Sequence, residues 1–464
     1  MMRSLKMKVL ALCLTSALLG FLGHRFGFDA KQTIIIAIFS ISILGTLFFW
    51  DFRMSFVFIG SGVLLSVGAI DLESFIRFAS WDVILFLISM MIIVGMMKDA
   101  GLFEWLLTLV LRVKHLTGAK MFVILMAGSA VFSGLMGEVA SIIVMVTVIL
   151  NICDFLEVDP VPLVISAVLA TNIGSAATVL GNPVGVLIAA RGKLSFEDFL
   201  LHALPLSFVI LVFTILLLLY WYRGYIKQLS EKLEPYQNDK GFLYLISVPP
   251  DFRARVSMAI FFITILLIGL HKRLELFLGI GENTLLIMLP VISAGIVMIY
   301  RQDKARHYIE REVEWPSLLF FAFLFAQAGV IQASGIADVL AHKMFHLAGS
   351  SSQIITALVL FTSGVLSSIL DNVVTVASFI PIVKSLDLLN PGMKPLWWPL
   401  LFGACYGGNI TMIGSTANIV ALGLLEKQKG IRVSFSSWLK IGMVVGLISM
   451  LVSYFVILFV PIYG

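Results

Sequence analysis

The chain has 464 residues, 60% of them hydrophobic and 13% charged, with a formal net charge of +5. Apolar runs this long and frequent exclude a soluble globular protein, and the positive charge belongs to loop lysines and arginines rather than to a nucleic-acid surface. The three cysteines, Cys13, Cys153 and Cys405, fall in or beside apolar runs without motif spacing, which argues against a disulfide framework or a zinc site.

In chain order, runs of spanning length are predicted at 8–23, 33–50, 54–70, 82–98, 161–190, 203–222, 256–270, 284–300, 315–333, 396–425 and 437–461, eleven in all. The first has a basic flank at Arg3, Lys6 and Lys8 but no small-residue cleavage site, so it is read as a span rather than a leader. Two further stretches, 120–150 and 354–386, are too long for one crossing. They are interrupted at Ser133–Glu138 and at Ser367–Asn372, as re-entrant hairpins would be. Segments 101–116 and 335–348 mix apolar residues with Arg112, Lys114, His115, His342, Lys343 and His346, and are expected along the interface.

The predicted organisation is an N-terminal span over 1–30, a first repeat over 31–222, a cytoplasmic linker over 223–255 and a second repeat over 256–464. A cytoplasmic N-terminus places 22 of the 32 lysines and arginines inside, as the positive-inside rule requires, and makes the two repeats antiparallel. Tryptophans 50, 81, 221, 315, 397, 398 and 438 stand at predicted span ends, where an aromatic belt is expected. The fold class is an all-α polytopic membrane protein, with about eleven transmembrane helices and two re-entrant hairpins in an inverted repeat.

The repeat is legible residue by residue. Trp81, Gly95, Gly101, Ser133 and Ser141 answer to Trp315, Gly329, Gly335, Ser367 and Thr375, each 234 positions later. Thr178 and Gly181 answer to Thr411 and Gly414 at an offset of 233. Paired broken spans mark secondary transporters, because unpaired backbone survives at membrane depth only where it lines protein or a wet cavity.

Four interruptions carry the chemistry. The hairpins turn at Ser133-Gly134-Leu135-Met136-Gly137-Glu138 and at Ser367-Ser368-Ile369-Leu370-Asp371-Asn372, and helix ends meeting there present free N–H and C=O groups. Each turn holds one acid, Glu138 or Asp371; an ionised carboxylate at that depth costs roughly 2.5–3.5 kcal/mol if unpaired, so it must bind a cation, take up a proton or face water. The broken spans read Thr171-Asn172-Ile173-Gly174-Ser175 through Thr178 to Gly181-Asn182-Pro183, and Gly407-Gly408-Asn409-Ile410-Thr411 through Gly414-Ser415-Thr416-Ala417-Asn418. Glu138 and Asp371 are the expected coupling groups. Ser133, Gly137, Asn172, Gly174, Thr178, Asn182, Ser367, Asn372, Thr375, Gly408, Asn409, Thr411, Ser415 and Asn418 are the expected substrate or ion ligands. No His-Glu-x-x-His, phosphate-cradling loop or Gly-x-Ser-x-Gly elbow is present, so no enzyme activity or resident cofactor is expected.

At these residues the chain resembles the ion transporter superfamily of arsenite permeases, P-protein permeases, sodium/proton antiporters and dicarboxylate and citrate transporters. Trp81-Asp82-Val83-Ile84-Leu85-Phe86 through Gly95 resembles the opening signature of the arsenite and P-permease branch, and Leu370-Asp371-Asn372-Val373 its second hairpin. Asn172 to Pro183 and Gly414 to Asn418 resemble the superfamily's unwound motifs. Relatives often carry paired Asn and Asp in the first hairpin where this chain has Gly137-Glu138, and the dicarboxylate branch has Ser-Asn-Thr in both.

The resemblance implies an alternating-access transporter of the cell membrane, with protons or sodium (the latter at the hairpin tips) as coupling ion and a homodimer as assembly. Expected partners are the bilayer and a small solute. A small inorganic oxyacid such as arsenite is the first expectation, sodium/proton antiport the second and a cation-coupled di- or tricarboxylate the third. A passive channel and a scaffold without transport are the readings from other classes.

Overall fold

The computed structural model describes residues 12, 14–16, 27–49, 52–101, 116–236, 252–349, 351–389 and 395–463. Most of the expected span at 8–23, most of the interfacial segment 101–116, Trp50 and the linker from 237 to 251 lie outside the described residues.

No strand occurs among the described residues. Helix α1 (Ala30–Phe48) starts at a capping box: Asp29 accepts from the Gln32 N–H at 2.7 Å, and the Gln32 side chain accepts from the Asp29 N–H at 3.1 Å. There follow α2 (Arg53–Ser66), α3 (Leu72–Phe78) and α4 (Trp81–Asp99). Asp71 caps α3, and the Ser74 N–H it accepts holds its carboxyl below the usual pKa. Helices α5 (Gly118–Met136) and α6 (Glu138–Leu156) form the first hairpin, and α7 (Val161–Ser175) and α8 (Pro183–Gly192) the first broken span. Helix α9 (Phe196–Trp221) has a π turn at Phe199–Ala203, ahead of Pro205, whose ring lacks a donor and crowds the preceding turn.

After α10 (Arg223–Leu233) the second series runs α11 (Phe252–Gly269), α12 (His271–Leu278), α13 (Thr284–Tyr300), α14 (Trp315–Ala333) and α15 (Ile336–Leu347). The second hairpin is α16 (Ser352–Ser367) with α17 (Asn372–Leu389). The second broken span is α18 (Trp397–Gly407) with α19 (Thr416–Lys429), and α20 (Phe435–Phe459) closes the chain. Nine helices among the described residues are long and apolar enough to cross a membrane. The chain is a polytopic membrane protein. Each hairpin breaks more sharply than the sequence suggests, at Gly137 alone in the first and over Ser368–Asp371 in the second.

Elements of the two series correspond, and their packing does too. Helix α2 lies on α14 of the other series, and α13 lies on α4. Gly95 of α4 presses against residue 312, and Gly329 of α14 presses against residue 78, again 234 apart. A Cβ at Gly95 would stand 2.8 Å from Cγ of Glu312, and one at Gly329 2.2 Å from Cγ of Phe78. Because the new Cβ would also stand 2.9 Å from Glu312 Cβ, which turning that side chain cannot relieve, Gly95→Ala is expected to cost about 1–3 kcal/mol. A melting temperature in detergent lowered by several degrees checks this.

The aromatic belt holds only in part. Trp81 and Trp315 are exposed at their helix starts, but Trp397, Trp398 and Trp438 are buried. The indole of Trp438 donates to the Asn409 carbonyl at 3.1 Å, which supplies a partner that the break at Gly408 removes from the helix.

Candidate functional site

The first hairpin tip docks on the first break. Gly137 has φ +90°, a conformation side chains rarely adopt, and it lets α6 start in line with the loop after α7. The Glu138 N–H then donates to the Gly181 carbonyl at 2.9 Å, joining hairpin to break. Thr178 donates its hydroxyl to the Gly134 carbonyl and accepts the Leu180 N–H at 3.1 Å. The second half repeats this: Thr411 donates to the Ser368 carbonyl and accepts the Ile413 N–H at 3.3 Å.

Broken spans and hairpins approach backbone to backbone because glycine stands at the crossings. Cβ atoms built on Gly174 and Gly407 would fall 2.1 Å from the Ala130 carbonyl oxygen and 2.3 Å from that of Gly364. Gly408 in turn leaves room for the Asn372 amide, which a Cβ there would meet at 2.4 Å. With its nitrogen turned toward three acceptors, Asn372 shares its two amide hydrogens among Ser367 Oγ (2.7 Å), the Ala404 carbonyl (3.1 Å) and the Gly414 carbonyl (2.9 Å). Ser367 donates to the Ala404 carbonyl at 2.7 Å.

The two breaks also grip each other. Asn182, capping α8 through the Gly185 N–H at 2.8 Å, donates to Ser175 Oγ at 2.9 Å and to Cys405 Sγ at 3.2 Å. Ser415, which caps α19, donates to Asn172 Oδ1 at 3.0 Å. Positions 182 and 405 map onto 415 and 172 at the 233 offset, so these are the same contact made twice. Around the second, Asn172 Nδ2 donates to Asn409 Oδ1 at 2.7 Å and to Asn418 Oδ1 at 2.8 Å. Asn418 Nδ2 donates to the carbonyls of Gly408 and Thr411, and Asn409 Nδ2 to that of Leu169. All four side chains are fully buried, and the amide nitrogens of Asn172 and Asn418 each make two donated bonds and that of Asn409 one.

The two acids differ in place. Asp371 caps α17, accepting the Val373 N–H at 2.9 Å and the Thr416 hydroxyl at 2.5 Å. Glu138 lies one position further along its own hairpin, at the start of α6, where the second copy has Asn372. It faces Ser175 and Asn182, and Asp371 lies close enough for the two charges to repel. Its Oε2 is buried with no partner among the described residues, as are Ser133 Oγ and Thr375 Oγ1. Glu138, Gly137, Asn182 and Thr416 line the deep end of a cavity of about 160 Å³, walled by apolar residues of α4 and α14 such as Met90 and Phe321. Lys98, Glu312 and Glu314 also line this cavity. No group of three or more metal-ligating side chains occurs among the described residues.

The citrate transporter family matches this sequence over residues 46–403 and again over 328–462. The chain belongs to the citrate transporter family. It is 30% identical over 384 residues to an uncharacterized transporter of Mycobacterium tuberculosis, covering 80% of this chain and 85% of the relative. The P protein of Homo sapiens is 26% identical over 456 residues, 80% of this chain and 52% of that one. Among solved structures, the Alcanivorax borkumensis YdaH transporter shares the fold, with a TM-score of 0.54 at 13% identity over 94% of this chain and 100% of that one. The expected superfamily and the transporter class are thereby established.

In this citrate transporter family member the structure brings every predicted position to the two hairpin–break junctions, but with unequal availability. Asn172, Asn409, Ser415 and Asn418 are engaged with one another or with carbonyls. Thr178, Thr411, Ser367 and Asn372 tie hairpins to breaks, and Gly137, Gly174 and Gly408 permit close approach. Open capacity remains at Glu138, Ser133 and Thr375. The sequence reading missed Ser175, Cys405 and Thr416; the first two stand at repeat-related positions of residues it chose (Gly408 and Asn172), and Thr416 directly follows Ser415.

Proposed function

We propose that the chain is a secondary active transporter that moves a small carboxylate by alternating access, coupled to a proton or sodium ion taken up at Glu138. The observation that carries this reading is the buried, unpartnered Oε2 of Glu138 at the deep end of the cavity. An anion about 4 Å from an ionised carboxylate is repelled by about 4 kcal/mol at an effective dielectric near 20, a factor near a thousand in affinity. A proton or cation on Glu138 removes that penalty, so cation and anion occupy the site together or not at all; that mutual dependence is coupling. The description of the family supports the carboxylate. The N-terminus is taken as cytoplasmic on the lysine and arginine distribution, and the membrane as the plasma membrane.

A second reading is a neutral oxyacid such as arsenite. It is favoured by the hydroxyl and amide of Ser175 and Asn182 facing Glu138, with Lys98, the basic residue lining that cavity, paired to Glu312.

Proteoliposomes test both. A pH or sodium gradient is expected to drive citrate accumulation by the wild type. Glu138→Gln is expected to accumulate at least tenfold less while keeping citrate–citrate exchange, because exchange needs no net cation movement. Undiminished accumulation by Glu138→Gln would overturn the assignment. Proton movement triggered by sodium alone, or by arsenite but not citrate, would replace the carboxylate by antiport or by the neutral oxyacid.

A further inference from the structure

A second cavity, of about 250 Å³, lies at the other end of the helices that form the first. Helix α14 runs from Ser317 and Phe321 in the first cavity to Phe325, Gly329 and Gln332 in the second. Helix α8 runs from Pro183 to Arg191 between them, and α17 from Val373 to Lys384. The rings of Phe321 and Phe325, one lining each cavity, stack with centroids 6.2 Å apart and stand between the two.

The two cavities are related by the repeat. Gly95, Lys98, Ile143, Glu312 and Glu314 of the first map onto Gly329, Gln332, Ala377, Phe78 and Ser80 of the second, all at 234. Their charge is not repeated. Both acids of the first mouth have become an aromatic ring and a hydroxyl, and no acid lines the second cavity. Arg77, Arg191 and Lys384 line it instead, and the residues repeat-related to Arg191 and Lys384, Leu424 and Leu150, are apolar.

Arg191 is held by Ser80 Oγ at 2.5 Å and by Asp82 Oδ1 at 3.3 Å, which aims its guanidinium. Lys384 is half-buried, and neither it nor Arg77 has an ion-pair partner among the described residues. Lys384 shares this cavity with Arg191 and Arg77, and half-burying a lysine among cations costs desolvation that an anion would offset.

We propose that this cavity is a capture site for a small multivalent oxyanion, a carboxylate or phosphate, bound by Lys384 and Arg191 with Arg77 at its rim. Resting on the transporter reading above, it is the mouth through which the anion meets the protein on the face opposite the Glu138 cavity. Three convergent cations raise the local anion concentration and supply donors for several oxygens at once. The acidic groups of the other mouth do not, so the two faces differ in how they receive the same solute.

The same chemistry is offered by an anionic lipid headgroup, and the experiment separates the two sources. Citrate and inorganic phosphate are titrated calorimetrically into the full-length protein, with no transport needed, so a failure here is distinct from a failure of coupling at Glu138. Lys384→Gln and Arg191→Gln are each expected to weaken citrate binding at least tenfold, with Lys384→Arg retaining it. Arg77→Gln, at an exposed position, is expected to fold normally and weaken binding severalfold. Citrate affinity unchanged across these variants overturns the proposal. So does a thermal stabilisation by phosphatidylglycerol that the same substitutions abolish while citrate and phosphate give none, since a lipid site would then be the occupant.

Discussion

Replacing Gly174 with alanine is expected to cost about 3 kcal/mol or more and to remove most of the monodisperse protein recovered in detergent. The new Cβ would lie 2.1 Å from the Ala130 carbonyl oxygen, 2.4 Å from its Cα and 2.6 Å from its carbonyl carbon. All three are backbone atoms of α5, so no side chain can turn aside; the helices must separate. Separation would break the Thr178 bond to Gly134 and the Glu138 N–H bond to Gly181, which hold hairpin to break. Overpacking usually costs about 1–3 kcal/mol, and a contact that cannot relax belongs at or beyond the upper end. Gly407→Ala should behave alike, since its Cβ meets the Gly364 backbone at 2.3–2.7 Å. Gly62→Ala is the control: it lies in α2 with nothing within 4 Å, and alanine's helix propensity predicts no loss. If Gly174→Ala and Gly62→Ala melt at the same temperature, the close approach is not what holds the junction.

These same glycines show why much of the architecture could be read from sequence. A backbone crossing tolerates one residue type, and a duplicated crossing leaves that residue at a fixed offset, so Gly95 and Gly329 or Gly174 and Gly407 stand out in a single chain. The breaks were legible for a related reason, since glycines with asparagine and threonine at membrane depth need partners outside the helix.

Partner identity was not legible. An asparagine announces that it needs several bonds, but nothing near Asn172 points to Asn409, 237 positions away, or to Asn418 beyond it. For that reason the sequence reading placed these amides among solute ligands, whereas the structure satisfies them within the protein. Glu138 and Asp371 are 233 apart while their hairpins repeat at 234, so the acids are out of register by one residue. That single step puts Asp371 in a capping role with Thr416 and leaves Glu138 at the cavity with an oxygen free. Likewise Trp438, read as part of an aromatic belt, is buried because a broken helix leaves the Asn409 carbonyl in need of a donor.

The amide cluster yields the other large effect. Asn172→Ala removes two donated bonds, to Asn409 and Asn418, and one accepted from Ser415, all among fully buried groups. Each stranded buried group costs about 1–3 kcal/mol, so the expected loss is about 3 kcal/mol at the least, before any void is counted. Asn172→Asp should be no better, although it keeps the shape. It sets a carboxylate oxygen against two carbonyl oxygens, and neither neighbour can turn its amide without giving up its own bonds to Gly408, Thr411 or Leu169. A structural brace and a solute ligand predict different behaviour in the protein that survives. If Asn172 braces the two breaks, thermal stability falls while the citrate KM of the remaining folded transporter stays within about twofold of wild type. If it were a ligand, KM would rise tenfold or more at nearly unchanged stability, since a lost hydrogen bond to a charged solute is worth about 1.5–3 kcal/mol. Melting curves and transport kinetics on the same preparations decide between them, and a KM shift without a loss of stability would return Asn172 to the binding site.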